Sequence, residues 1–229
     1  MVYDLFLFDL DDTLLDFKES ERRSFVTVLK NLGVQDGLDE LYRFYQIENR
    51  KLWTLFEEAR TSKEHLKVER FRRVFEAFKI EADPAKASDH YLETLPETVV
   101  LMDHAEEICQ WLADRGEIGI ITNGMHAVQM KRIENSKLAP YISFTSVSEE
   151  CGYAKPDVRF FEHSAKMARK FHKDSAVVIG DRMETDILGA RNFGLRSCWF
   201  NPEKTQHNYS FQPDYEISHL SEIQNILKK

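Results

Sequence analysis

Four short stretches of this chain concentrate residues able to do chemistry. They are Asp9-Leu10-Asp11-Asp12-Thr13, Thr122-Asn123-Gly124, Ala154-Lys155-Pro156-Asp157 and Gly180-Asp181-Arg182-Met183-Glu184-Thr185-Asp186. Asp9 and Asp11 are two apart at the end of an extended segment, so both side chains project from one face. A pair at that spacing can divide labour, Asp9 as nucleophile and Asp11 as proton donor and then acceptor. Asp12 points the other way and is assigned to local hydrogen bonding, and Thr13 to capping or orienting the turn. Asp181 and Asp186 offer the carboxylate oxygens that a hard cation such as Mg2+ prefers, whereas Glu184 reads as a solvated side chain. The Thr122-Asn123-Gly124 turn leads into a helix whose free N–H groups form an anion site. Gly124 removes the β-carbon that would block close backbone approach, and Lys155 adds a point charge on a loop stiffened by Pro156.

Strands and helices must bring these stretches together. Val2 to Phe8 is an apolar run that stops at acids, as a buried parallel strand does. From about residue 16 to 95 the apolar spacing is helical, with Leu41, Phe44, Tyr45, Leu52, Leu55 and Phe56 recurring at three- and four-residue intervals. Pro84 and Pro96 are expected near the last turns of that segment. Helices near 104–114, 126–136, 158–170 and 185–193 then alternate with strand-like runs at 118–121, 142–147, 176–179 and 198–200. This alternation predicts right-handed βαβ crossovers and a doubly wound parallel sheet of Rossmann type, an α/β core with a helical insertion after its first strand. A polar loop over 201–213 and a final helix near 220–227 complete the chain. In open parallel sheets ligands bind beyond the carboxyl ends of the strands, which is where all four stretches fall.

Composition narrows the classes of partner. The 229 residues are 42% hydrophobic and 31% charged, enough for a sizeable core. A net charge of −8 argues against a nucleic-acid polymer, which needs a basic stripe. No apolar stretch approaches a membrane span, and a strand-like run beginning at Val2 leaves no room for a signal peptide. Cys109, Cys151 and Cys198 are widely spaced and read as free thiols. The expectation is a cytoplasmic globular protein.

Taken together, DLDDT at 9–13, ITNG at 121–124, AKPD at 154–157 and GDRMETD at 180–186 resemble the haloacid dehalogenase-like superfamily. The resemblance is to its metal-dependent phosphatases with a helical cap inserted after the first motif. It implies an α/β core of residues 1–15 and 96–229 and a cap of residues 16–95 that closes over the core. It assigns Asp9 as the nucleophile that forms an aspartyl-phosphate and Asp11 as the acid–base. Asp9, the backbone carbonyl of Asp11, Asp181 and Asp186 are the Mg2+ ligands it implies, and Thr122, Asn123 and Lys155 the phosphate-binding residues. Asp9, Asp181 and Asp186 carry three negative charges, which Mg2+ and Lys155 balance, so metal is expected to be obligatory.

The stretches 120–124 and 147–157, with DILGA at 186–190, look most like the pyrimidine 5′-nucleotidases. The implied partner is a small phosphomonoester, a nucleoside 5′-monophosphate, acted on by a monomer or homodimer. The alternatives are a sugar-phosphate or other small-metabolite phosphatase, a phosphomutase sharing the whole core, and a catalytically silent binding module. A true dehalogenase is disfavoured by Asp11 and by the Asp181/Asp186 pair. Relatives commonly carry a Pro-Gly turn at the cap's exit, where this chain reads Leu101-Met102-Asp103-His104.

Overall fold

The apolar runs assemble into one six-stranded, wholly parallel sheet in the computed structural model of the chain, which describes residues 3–227. Val2, where the first run begins in the sequence, lies outside the described residues. The elements are β1 (Leu5–Phe8), α1 (Phe17–Asn31), α2 (Leu38–Glu57), α3 (Lys63–Phe78), α4 (Pro84–Thr94), a 3-10 turn (Leu95–Thr98) and α5 (Ala105–Ala113). There follow β2 (Glu117–Thr122), α6 (His126–Glu134), β3 (Phe144–Val147), α7 (Ser148–Cys151), α8 (Val158–Met167) and β4 (Ala176–Gly180). A π-helical turn (Met183–Ile187) runs into α9 (Leu188–Phe193), and β5 (Arg196–Phe200), β6 (Tyr215–Ile217) and α10 (Ile223–Leu227) finish the chain.

The strand order is β3-β2-β1-β4-β5-β6. β1 is therefore interior, Phe8 lying opposite Ile120 on one side and Ile179 on the other. The chain moves outward from β1 to β3 and then returns to the far side of β1, so the switch point falls between β1 and β4. That is where an open sheet leaves a crevice at its carboxyl edge. Every residue of β1 and β4 is buried, as strands covered on both faces must be. Leu5, Leu7, Ile121 and Val178 pack with Phe160 and Phe161 of α8 and Phe193 of α9, and the pleat turns Phe6 and Phe8 to the opposite face.

The chain divides into two compact units, one running through Phe17 and resuming at Val100, the other Lys18–Val99. These joints lie a few residues from the expected 15/16 and 95/96. Leu15 bridges Leu101 and the Asp16 N–H donates to Val100 O at 2.9 Å, which holds 15–17 with the sheet unit. Thr98 Oγ1 donates to Ser20 O at 3.1 Å, which holds the 3-10 turn with the helices. The helical unit places one buried aromatic from each helix at its centre: Phe25, Tyr45, Phe71 and Tyr91. Centroid separations run from 4.5 Å for Phe25–Tyr45 to 6.1 Å for Phe25–Phe71 and for Tyr45–Tyr91, within the range where aromatic pairs attract.

One local expectation is corrected, and two short elements are added. Pro84 opens α4 instead of closing a helix, because its missing N–H costs nothing at the first helical position; Asp83 caps that end, accepting from Ala85 N at 2.9 Å. The stretch 201–213 is a loop, as expected; a sixth strand, β6, follows it, and α7 follows β3 directly. At the segment Leu101-Met102-Asp103-His104, His104 takes the left-handed conformation at φ 65° ahead of α5. Among the described residues no helix is long and apolar enough to cross a membrane, and the three cysteines are free thiols.

Candidate active site

The carboxyl ends of β1 and β4 bring Asp9, Asp181 and Asp186 together, with one oxygen of each within 4.8 Å of the others. The Asp9 N–H donates to Ile179 O at 2.9 Å, extending the β1–β4 pairing by one residue and fixing where Asp9 leaves the sheet. Asp186 rides on the π-helical turn, a widened geometry that recurs at functional sites. Its carboxylate lies directly over Gly180: a β-carbon there would stand 2.4 Å from Asp186 Cγ. The Arg182 N–H donates to Asp186 Oδ2 at 3.1 Å, and Trp199 Nε1 donates to Asp181 O at 2.8 Å, so both acid-bearing segments are tethered. Thr13 Oγ1 sits between Asp9 Oδ2 at 3.4 Å and Asp181 Oδ1 at 3.5 Å, so it orients acids as well as the turn. Asp12 is turned away at φ 59°, accepting from Phe17 N at 3.1 Å.

Lys155 lies inside this group of acids. Its Nζ reaches Asp9 Oδ1 at 2.5 Å, Asp186 Oδ1 at 2.7 Å and Ile121 O at 2.8 Å. An ammonium has three N–H donors, and all three are in use. Burial pulls the Lys155 ammonium toward neutrality, but Asp186 and Asp9 outweigh it and hold its pKa above the ordinary lysine value. Burial also raises the acids: Asp9 is pushed up to about 7, with Lys155 pulling it back and Asp186 and Asp11 adding to the rise. Asp181 rises well above the ordinary carboxylate range from burial and then from the charges of Asp9 and Asp186. Three crowded carboxyls against one ammonium leave excess negative charge on hard oxygen donors. Those residues fit a divalent hard cation of the Mg2+ kind.

The predicted phosphate-binding residues are also brought to this edge, where two of them contact one another. Thr122 Oγ1 accepts from Gly124 N and from Gln129 Nε2, each at 3.0 Å, which leaves the hydroxyl proton available to an anion. Asn123 does not aim its side chain at the anion site: Oδ1 accepts from Lys155 N at 2.8 Å and Nδ2 donates to Lys155 O at 3.1 Å. An amide can satisfy a peptide N–H and C=O at once, so Asn123 braces the Lys155 loop. Lys155 likewise has its donors on protein oxygens instead of facing outward as a point charge. Glu184 is about half exposed and accepts from Tyr209 Oη at 2.5 Å. His126 is only partly exposed in the first turn of α6, its Nδ1 3.4 Å from Glu150 Oε1.

Asp11 has partners that no local spacing predicts. Gln129 Nε2 donates to its Oδ2 at 2.7 Å, and Arg132 Nη1 donates to its Oδ1. Both donors come from α6 and are buried. Gly124 serves this contact: a β-carbon there would stand 2.3 Å from Gln129 Nε2, so the glycine makes room for a side chain. Long polar residues at buried helix positions are the one sequence-level signal of such a role, and it shows only once the buried face of α6 is known.

A family profile described as haloacid dehalogenase-like hydrolase matches residues 6–200. The pyrimidine 5′-nucleotidase PynA of Streptococcus pneumoniae is 32% identical, covering 100% of this chain and 97% of that protein. The pyrimidine 5′-nucleotidase YjjG of Escherichia coli is 29% identical, covering 100% of each. The crystal structure of the HAD-hydrolase YfnB of Bacillus subtilis bound to magnesium superposes with a TM-score of 0.92 at 30% identity, covering 100% of both chains.

Proposed function

The chain belongs to the haloacid dehalogenase-like hydrolase family, and we propose that it hydrolyses small phosphomonoesters, nucleoside 5′-monophosphates first and pyrimidine nucleotides before purine. The observation that carries the chemistry is the division between the two acids at the end of β1. Asp9 sits among Lys155, Asp181 and Asp186, whereas Asp11 is held apart by Gln129 and Arg132. The preference for pyrimidine nucleotides rests on the full-length similarity to two pyrimidine 5′-nucleotidases.

In the first half-reaction an Asp9 carboxylate oxygen forms a bond to phosphorus as the ester oxygen–phosphorus bond breaks, and Asp11 gives its proton to the departing alkoxide. In the second, Asp11 takes a proton from water, whose oxygen displaces Asp9 from phosphorus and releases inorganic phosphate. The Thr122 hydroxyl and the N–H groups at the start of α6 hold the non-bridging oxygens. Asp9, Asp181, Asp186 and the Asp11 carbonyl would hold Mg2+, which when bound neutralises the phosphate and the acids together. A reducing, cytoplasmic setting suits three free thiols.

The test is phosphate release from a panel of nucleotides and sugar phosphates, with Mg2+ and with EDTA, beside Asp9→Asn. The expected result is metal-dependent release from UMP or dTMP, reduced at least a thousandfold by Asp9→Asn. A preference for sugar phosphates would overturn the substrate and keep the mechanism. No release from any ester by folded, magnesium-saturated protein would overturn the enzyme reading.

A further inference from the structure

We propose that Gln129 and Arg132 are positioning residues that aim Asp11 at the leaving-group oxygen. This rests on the reading of Asp11 as proton donor. The two residues are three apart on α6, hence on one face of the helix. Gln129 is 2% exposed and Arg132 0%, whereas the Asp11 side chain remains 29% exposed. The carboxylate is thus the accessible end of a buried chain.

Every polar group of Gln129 is engaged. Nε2 donates to Asp11 Oδ2 at 2.7 Å and to Thr122 Oγ1 at 3.0 Å, and Oε1 accepts from Arg132 Nη1 at 2.8 Å. Arg132 Nη1 also donates to Asp11 Oδ1. Each carboxylate oxygen therefore has its own donor, which fixes the plane of the group as well as its place. The same amide ties the acid to the threonine that faces the anion, so proton donor and phosphate site share one framework.

Arg132 is an expensive way to build a helix packing surface. Its guanidinium lies 5.2 Å from the Phe17 ring, and its Nε and Nη2 are buried without a hydrogen-bond partner among the described residues. Burying such groups unpaired is unfavourable, and an apolar side chain of similar volume would avoid it. What an apolar residue could not do is hold Asp11.

The experiment uses the full-length protein with saturating Mg2+ and compares kcat/KM for UMP with that for p-nitrophenyl phosphate. Nitrophenolate leaves without a proton, whereas the nucleoside alkoxide needs one, and kcat/KM omits the later hydrolysis step that both esters share. For Arg132→Met and Gln129→Leu, the ratio of UMP to p-nitrophenyl phosphate kcat/KM is expected to fall about tenfold or more. Arg132→Lys should recover part of the ratio. Gly124→Ala, which displaces Gln129 without altering the face of α6, should lower it in the same way and serves if Arg132→Met does not fold. Equal losses on both esters, or no loss on either, would overturn the proposal. Wild-type protein inactive on both esters would instead overturn the phosphatase reading on which it depends.

Discussion

The side chain of Asn123 and the backbone of Lys155 are joined in both directions, Asn123 Oδ1 accepting from Lys155 N at 2.8 Å and Nδ2 donating to Lys155 O at 3.1 Å. The residue after the β2 threonine thereby fixes the peptide that carries the lysine between Asp9 and Asp186. The brace acts before the leaving group matters, so Asn123→Ala is expected to lower kcat/KM about 10- to 100-fold on nucleotides and aryl phosphates alike. Asn123→Asp keeps the acceptor, loses the donor and adds a negative charge beside the anion site, and should be worse than alanine. Steady-state kinetics on both esters checks this, and a loss confined to poor leaving groups would contradict it.

Gly180 is the last residue of β4, and its missing β-carbon is the space that the Asp186 carboxylate occupies. Its φ lies outside the left-handed region, so alanine strains no backbone, and only the 2.4 Å approach to Asp186 Cγ must be relieved. Gly180→Ala should leave the sheet folded and weaken Mg2+ binding about tenfold or more. Calorimetric titration with Mg2+ against wild type, with circular dichroism as the control for folding, makes the comparison. Unchanged affinity would mean that Asp186 is not a ligand.

The thiols should react unequally. Burial pushes Cys109 up to about 12, and burial, then the Glu222 charge, raises Cys198 further. At pH 8 a thiol with that pKa is ionised to roughly one part in ten thousand, and the thiolate is the nucleophile. Cys151 is half-buried, its Sγ 3.3 Å from Tyr153 O. Iodoacetamide at pH 8 should therefore label only Cys151 in the native protein and all three cysteines in guanidinium. Mass spectrometry of the intact protein reads the count, and native labelling of Cys109 would show that its surroundings open.

Residues that punctuate strand ends were legible from sequence because position and chemistry coincide there. Asp9, Thr122 and Asp181 follow apolar runs directly, and the sheet can only place such residues at one edge. Gln129 and Arg132 were not legible, because pattern reading expects the buried face of a helix to be apolar, and α6 buries two long polar side chains beside Ile133. The contacts of Asn123 and Gly124 were not legible for a related reason. Their partners, Lys155 and Gln129, are settled by how β2, α6 and the lysine loop meet, which no local spacing encodes. β6 escaped because three residues, Tyr215–Ile217, carry too little alternation to register.

The interior place of β1 has a consequence for how the molecule is made. β1 is flanked by strands that are synthesised much later: Leu5 pairs with Glu117 on one side and Ala176 on the other. Residues 18–99 can collapse on local helical contacts in the interval, but Leu5-Phe6-Leu7-Phe8 has no native neighbour until more than a hundred further residues have been synthesised. Nascent chains halted before β2 should thus expose an unpaired apolar strand, and that is the species a holding chaperone would bind.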